Sequence, residues 1–307
     1  MRLKIAAVDL ISNTCFPLLA ADTLGFFSSE KLEVTIELNN ALLGTQALRS
    51  GSVDMVAAGS IYDILTEFPN WSGAKLLVAL SRGSPWLLTV RKDLAAKRGE
   101  IKALRGLRLT AAAGPDLAFK QLLRLGGLDP EKDVDIVELP GAKARGVSFG
   151  VFAADALRKG QIDGFWANAM GAETAVSSGV GKVLVDVRRG DDPGAVRHFT
   201  FAGIATTEQV LATKRPALLA FVRAIVKAQR ALRDDPGLAE EVGRSKFPDD
   251  SAALIARTIA RDVTFYDPVI TEDMVTQLNA FAHAIEHLTA PVGYHDVVDV
   301  GVCEAWK

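Results

Sequence analysis

The chain has 307 residues, 49% of them hydrophobic and 23% charged, with a formal net charge of −2. That length holds two domains or one large one, and the composition is that of a globular protein with a sizeable core. With a pI of about 6.1 there is no general basic field to hold nucleic acid or an anionic membrane, so recognition must rest on a local site.

Lys4–Val8 is mostly apolar, as a buried parallel strand should be. The polar loop Ser12-Asn13-Thr14 follows it. Phe16 to Leu24 has apolar residues at helical spacing, with Pro17 in the first turn, where its missing N–H costs nothing, and Gly25 as the stop. Glu33–Leu38 alternates as a strand. Gly44-Thr45 opens a predicted helix that ends at Gly51, Val53–Ala58 is a strand, Gly59-Ser60 opens a further helix, and Leu76–Leu80 is a strand.

A charged connector runs from Arg91 to Arg105, and then the order repeats. Leu107–Ala112 is a strand. Gly114-Pro115-Asp116 starts a helix, with an acid placed at the positive end of its dipole, and the helix runs to Leu125. Asp135–Leu139 is a strand, Ala153–Lys159 a helix, and Asp163–Trp166 and Val183–Val187 are strands. Beyond Phe199–Ala205 the pattern is mainly helical: Pro216–Arg233, Pro236–Arg244, Ser251–Arg261 and Thr271–Leu288, punctuated by Asp235-Pro236, Phe247-Pro248 and Asp267-Pro268. This last block carries no evident chemistry and is expected to complete the first lobe and brace its hinge.

One phrase occurs twice. Residues 47–55 read ALRSGSVDM and residues 156–164 read ALRKGQIDG. Each is a helix end, a Gly stop, a short turn and an Asp leading an apolar strand. Two similar α/β halves predict two sheets facing a cleft, with the ligand at the carboxyl ends of the strands.

No run of about 20 apolar residues is present, so no membrane insertion is expected. The start MRLKIAAVDL enters a strand directly and has no cleavage site. The expected location is therefore the periplasm if a leader has been removed, and otherwise the cytoplasm. Cys15 and Cys303 are free to pair or to stay reduced, and no spacing suggests a disulfide framework. His283 and His287 lack the Glu of a zinc hydrolase, so no metal and no cofactor are expected.

Phe16–Glu37, ALRSGSVDM, the second-lobe start LRGLRLTAAAG and ALRKGQIDGFWAN together resemble periplasmic substrate-binding proteins of the nitrate/sulfonate/taurine type. The same group is similar to the NMT1/THI5-like proteins. The resemblance covers residues 1–206, and the helical tail suits it. It implies a two-lobed type II periplasmic-binding fold with two doubly wound sheets. Lobe one would be residues 1–88 with 204–307, and lobe two residues 89–203. The hinge would lie at the crossings near Leu88–Arg91 and Gly203–Thr206. It also implies a monomer that closes on a small-molecule ligand and passes it to an ABC-transporter permease.

Loops that feed helix N-termini offer unpaired N–H groups and a positive partial charge. Four such places are candidates: Ser12-Asn13-Thr14, Gly44-Thr45, Gly59-Ser60 and Gly114-Pro115. The same residues serve equally as helix caps. Trp166 either stacks on a ligand or fills the lobe core, and Asn168 can bond a polar group. Arg82 is either a bidentate clamp for carboxylate or sulfonate or a solvated cation. Arg145, Phe149 and Phe152 are further candidates, and Arg188-Arg189 and Arg197-His198 read as the flanks of a solvated turn. Cys15 has no neighbouring base and reads as a small buried hydrophobe. No catalytic constellation is found. The function this favours is a non-enzymatic solute-binding protein for an organic anion or a polar or aromatic molecule. The alternatives are a cytosolic enzyme on the same fold, such as a decarboxylase or pyrimidine-precursor enzyme, and a cytosolic ligand sensor.

Overall fold

The computed structural model describes residues 1–144, 147–192 and 194–307. The chain divides into two compact units, Met1–Gly83 with His198–Lys307, and Ser84–Arg197. Both are α/β.

The first unit begins with β1 (Arg2–Ala7), α1 (Phe16–Thr23), α2 (Phe26–Ser29), β2 (Glu33–Leu38), α3 (Ala41–Arg49), β3 (Met55–Ala58) and β4 (Ala74–Ser81). The second unit holds β5 (Leu87–Arg91), β6 (Arg108–Ala111), α4 (Pro115–Leu125), β7 (Asp135–Ile136), α5 (Phe149–Arg158), β8 (Gly164–Ala167), α6 (Ala169–Ser177) and β9 (Gly181–Asp186). The chain then returns to the first unit with β10 (Ala202–Thr207) and α7 (Glu208–Asp234), followed by α8 (Leu238–Arg244), α9 (Asp249–Asp262), α10 (Glu272–Ala284) and α11 (Tyr294–Val297).

The sheets run β2-β1-β3-β10-β4 and β7-β6-β8-β5-β9. Each has a parallel trio, centred on β1 in the first and on β6 in the second. In each, one antiparallel strand, β10 or β5, separates that trio from the outer strand. The crossings therefore come earlier than Leu88–Arg91 and Gly203–Thr206. The reason is strand pairing: β5 belongs wholly to the second sheet and β10 wholly to the first.

The repeated phrase has the same physical role in both units. Gly51 and Gly160 take the left-handed conformation (φ 73° and 67°) that ends α3 and α5. The next residues, Ser52 and Gln161, donate their N–H groups back to Ala47 and Ala156. Asp54 then grips the first strand twice: its N–H donates to Lys4 O at 2.9 Å, and its Oδ2 accepts from Lys4 N at 2.9 Å. Asp163 does the same with Arg108, at 2.7 and 2.9 Å.

Elsewhere the differences from expectation are local. α3 starts at Ala41, because the Asn40 side chain accepts from Leu43 N and caps it; Gly44-Thr45 therefore lie inside the helix. Gly59-Ser60 lead a short 3-10 helix, Ile61–Thr66. α7 starts well before Pro216 because Thr207 caps Val210 N, and Lys214 leaves helical geometry ahead of the proline. The first unit's core includes Phe27 stacked on Phe221 at 5.3 Å. That of the second includes Ala153, Leu157, Phe165 and Ala175.

Asp54→Ala and Asp163→Ala should each lower the unfolding free energy by about 1–3 kcal/mol, by stranding a backbone donor. Asparagine at either position, which keeps the acceptor, should recover most of that. Urea midpoints unchanged by the alanine variants would show that the grip carries no weight.

Candidate functional site

In the first unit the loop after β1 leaves the carboxyl edge of the sheet and is buried: Ser12, Asn13 and Thr14 are 2%, 1% and 3% exposed. Burial forces its polar groups into pairs. Ser12 N donates to Asp9 Oδ1 at 2.8 Å, and the Ser12 and Thr14 hydroxyls bond each other at 2.8 Å. Asn13 Nδ2 donates to Asp262 Oδ2 at 2.5 Å, and the Tyr266 hydroxyl donates to Asn13 O at 2.7 Å. Asp262, at the end of α9, also takes Nε and Nη2 of Arg261, both at 3.1 Å.

Arg82 follows β4, which is parallel to β1 and so ends at the same edge. Its backbone N–H donates to Phe265 O at 2.8 Å, and its Nη2 meets Asp267 Oδ2 at 2.9 Å. The guanidinium is thus paired with an aspartate while its side chain stays 42% exposed. Both polar elements of this edge are fixed by the stretch 262–267. The C-terminal block, read from sequence as having no chemistry, organises the candidate site.

A small concavity lies over β1, β2 and β3, lined among others by Val8, Asn39, Asn40, Thr45 and Asp63. Gly44 is packed against the sheet: a Cβ there would sit 3.4 Å from Val56 Cγ2. Thr45 Oγ1 donates to Leu42 O at 2.9 Å, inside its own helix. Gly59 is partly covered and Ser60 is buried. The cap expected of Ser60 is supplied by Thr200, whose Oγ1 accepts from Ile61 N at 2.9 Å. Asn39, Asn40 and Asp63 were missed by sequence reasoning; an Asn pair directly after an alternating strand was the available signal.

In the second unit, Gly114 (φ 93°) precedes α4, and its N–H donates to Asp116 Oδ1 at 2.9 Å. Pro115 is buried. Burial raises the Asp116 carboxyl above its ordinary range. Asn168 caps α6 through Gly171 N at 3.2 Å. Trp166 is fully buried and stacked on Phe119 at 5.8 Å, so it is a core residue, the second of its two readings. Arg188, expected in a solvated turn, is 8% exposed, in the 3-10 turn Val187–Arg189 that follows β9. Phe149 packs on the α5 core and Phe152 is partly covered; Arg145 lies outside the described residues. Among those residues, no three His, Cys, Asp or Glu side chains gather as metal ligands would, and no helix is long and apolar enough to cross a membrane. His283 Nδ1 instead faces Leu288 O at 2.8 Å.

Two groups at the first loop also have shifted acidity. Burial pushes the Cys15 thiol up to about 12, aided by the charge of Asp9. Cys15 should therefore resist iodoacetamide at neutral pH in the folded protein, while half-buried Cys303 reacts first; peptide mass spectrometry reads this directly, and early labelling of Cys15 would contradict its burial. Burial also raises Asp9 above 3.8. The folded chain then binds this proton more tightly than the unfolded chain, so this group costs stability as pH rises from 3.8 through its folded value. Asp9→Asn should be more stable than wild type at neutral pH, with the gap closing below 3.8; melting curves across pH check it, and a gap that widens in acid would refute it.

No curated protein matches the chain in sequence. Among solved structures it is similar to a protein from Bordetella bronchiseptica RB50, at 20% identity and TM-score 0.76, over 99% of this chain and 96% of that one. It is similar to the alkanesulfonate-binding protein SsuA from Xanthomonas axonopodis pv. citri bound to MOPS, at 16% and 0.70, over 99% and 97%. It is similar as well to a mutant of DSZB in complex with biphenyl-2-sulfinic acid, at 15% and 0.69, over 99% of both chains. At such identities the likeness is one of fold. The profile of the NMT1-like family matches residues 2–244, and the chain belongs to that family.

Proposed function

We propose that this chain is a solute-binding protein that holds a small organic anion at the carboxyl edge of its first sheet and delivers it to an ABC importer, working in the periplasm. The observation that carries this reading is the buried, pre-bonded loop Ser12-Asn13-Thr14 at that edge, together with Arg82 held in place by Asp267. Such a loop loses little conformational freedom on binding, and a fixed guanidinium suits a carboxylate or sulfonate. The similarity to an alkanesulfonate-binding protein over nearly the whole chain supports the same ligand class. Gly44, Thr45, Gly59 and Ser60 then act as framework beneath the site.

A second reading is an enzyme acting on a similar anion. It is favoured by Asp9, whose raised pKa suits a proton donor beside the first loop, and by the similarity to DSZB. Cys15 opposes a thiolate route, since its thiol stays protonated.

A thermal-shift screen over carboxylates, sulfonates and nitrate, with mass spectrometry on every hit, separates the two. A ligand at about 100 times its Kd adds about 2.7 kcal/mol of stability, which raises the Tm by several degrees. A rise with the compound intact is the expected result. A rise with the compound consumed would overturn the binding reading in favour of the enzyme, and no rise with any compound would overturn the organic-anion assignment.

A further inference from the structure

The same edge of the first unit holds one buried acceptor and one buried donor that meet no partner among the described residues. Asp262 faces the Arg261 guanidinium and therefore accepts only. The Asn13 amide must then turn its Nδ2 toward Asp262, which points Oδ1 away. That oxygen is buried and meets no donor among the described residues. The nearby hydroxyls are engaged elsewhere: Ser12 and Thr14 bond each other, Thr14 Oγ1 also faces Cys15 Sγ at 4.0 Å, and Tyr266 donates its hydroxyl proton to Asn13 O. Arg82 is in the complementary condition. Its Nη2 is taken by Asp267, while its buried Nε meets no acceptor among the described residues.

We infer that Asn13 Oδ1 and Arg82 Nε are the acceptor and donor offered to the ligand, with Asp262 and Asp267 as their positioning residues. This rests on the solute-binding reading and narrows it: the ligand carries an anionic group for Arg82 and an O–H or N–H donor for Asn13. A hydroxy- or amino-substituted carboxylate or sulfonate meets both demands, and the unsubstituted acid meets one. A buried acceptor left without its donor discriminates strongly against the analogue that lacks it.

Calorimetric titration with two matched pairs tests this: isethionate against ethanesulfonate, and mandelate against phenylacetate. The hydroxylated member should bind about tenfold more tightly, the worth of one buried hydrogen bond. Asn13→Ala should erase that preference while leaving the unsubstituted acid bound. Asp262→Asn, which can still accept from the amide, should preserve it, and Asp262→Ala, which frees the amide to turn, should reduce it. The ratio within a pair is unaffected by a general loss of stability, so a merely structural role for Asp262 would leave it unchanged. Equal affinities in wild type, or a preference that survives Asn13→Ala, would overturn the inference. Failure of all four probes to bind would overturn it as well, whereas the solute-binding reading falls only if the wider screen also finds no ligand.

Discussion

The arrangement depends first on an aspartate that grips a neighbouring strand. Asp54 and Asp163 each exchange two hydrogen bonds with the backbone of the central strand of their parallel trio, at Lys4 of β1 and Arg108 of β6. In parallel pairing a shift of one residue would turn every side chain to the other face. The grip fixes the register at the amino end of the trio. The glycine before it frees the chain from the helix, and the aspartate sets where the next strand starts. With the amino ends settled in this way, the carboxyl ends are left to the loops, which carry the polar side chains.

The second constraint is the tie between the loop after β1 and the end of α9. A loop at a strand end would ordinarily be solvated, and its Ser, Asn and Thr would cap the following helix. Here Cys15 occupies the cap position of α1 with no side-chain bond to it, and the three polar residues are turned to other partners. One of these, Asp262, lies 249 positions away in sequence. The helical tail thus acts on the site from a distance, by choosing which way an amide faces.

What was legible in the sequence follows from the range of each interaction. The strands, the glycine stops and the repeat are set by local chemistry, so ALRSGSVDM and ALRKGQIDG announced two similar α/β halves. β5 was missed as a strand of the second sheet because its partners, β8 and β9, lie far along the chain. Gly44-Thr45 was misjudged because a glycine next to a threonine looks like a helix start, while the true cap is the Asn40 side chain a turn earlier. Ser12, Asn13 and Thr14 were named from their place after a strand. Asp262, Tyr266 and Asp267 had no local signal, since an aspartate at a helix end followed by Asp-Pro reads as punctuation.

The charge pattern of this edge bears on how it can select a ligand. Arg82 is paired with Asp267, and Arg261 with Asp262, so each cation arrives with its countercharge. Asp9 adds a carboxyl whose pKa burial raises. An anion approaching such a surface gains little from net charge, and long-range attraction is screened in any case within about 8–10 Å at physiological salt. What is left is direction: a guanidinium and an amide that cannot rotate without giving up a bonded aspartate. A site of that kind separates ligands by whether their donors and acceptors fall where the fixed groups point, because a mismatch leaves a buried group unpaired. On the proposed reading, selectivity resides in the two aspartates that never touch the ligand, and the tail acts through them on the first loop and on Arg82.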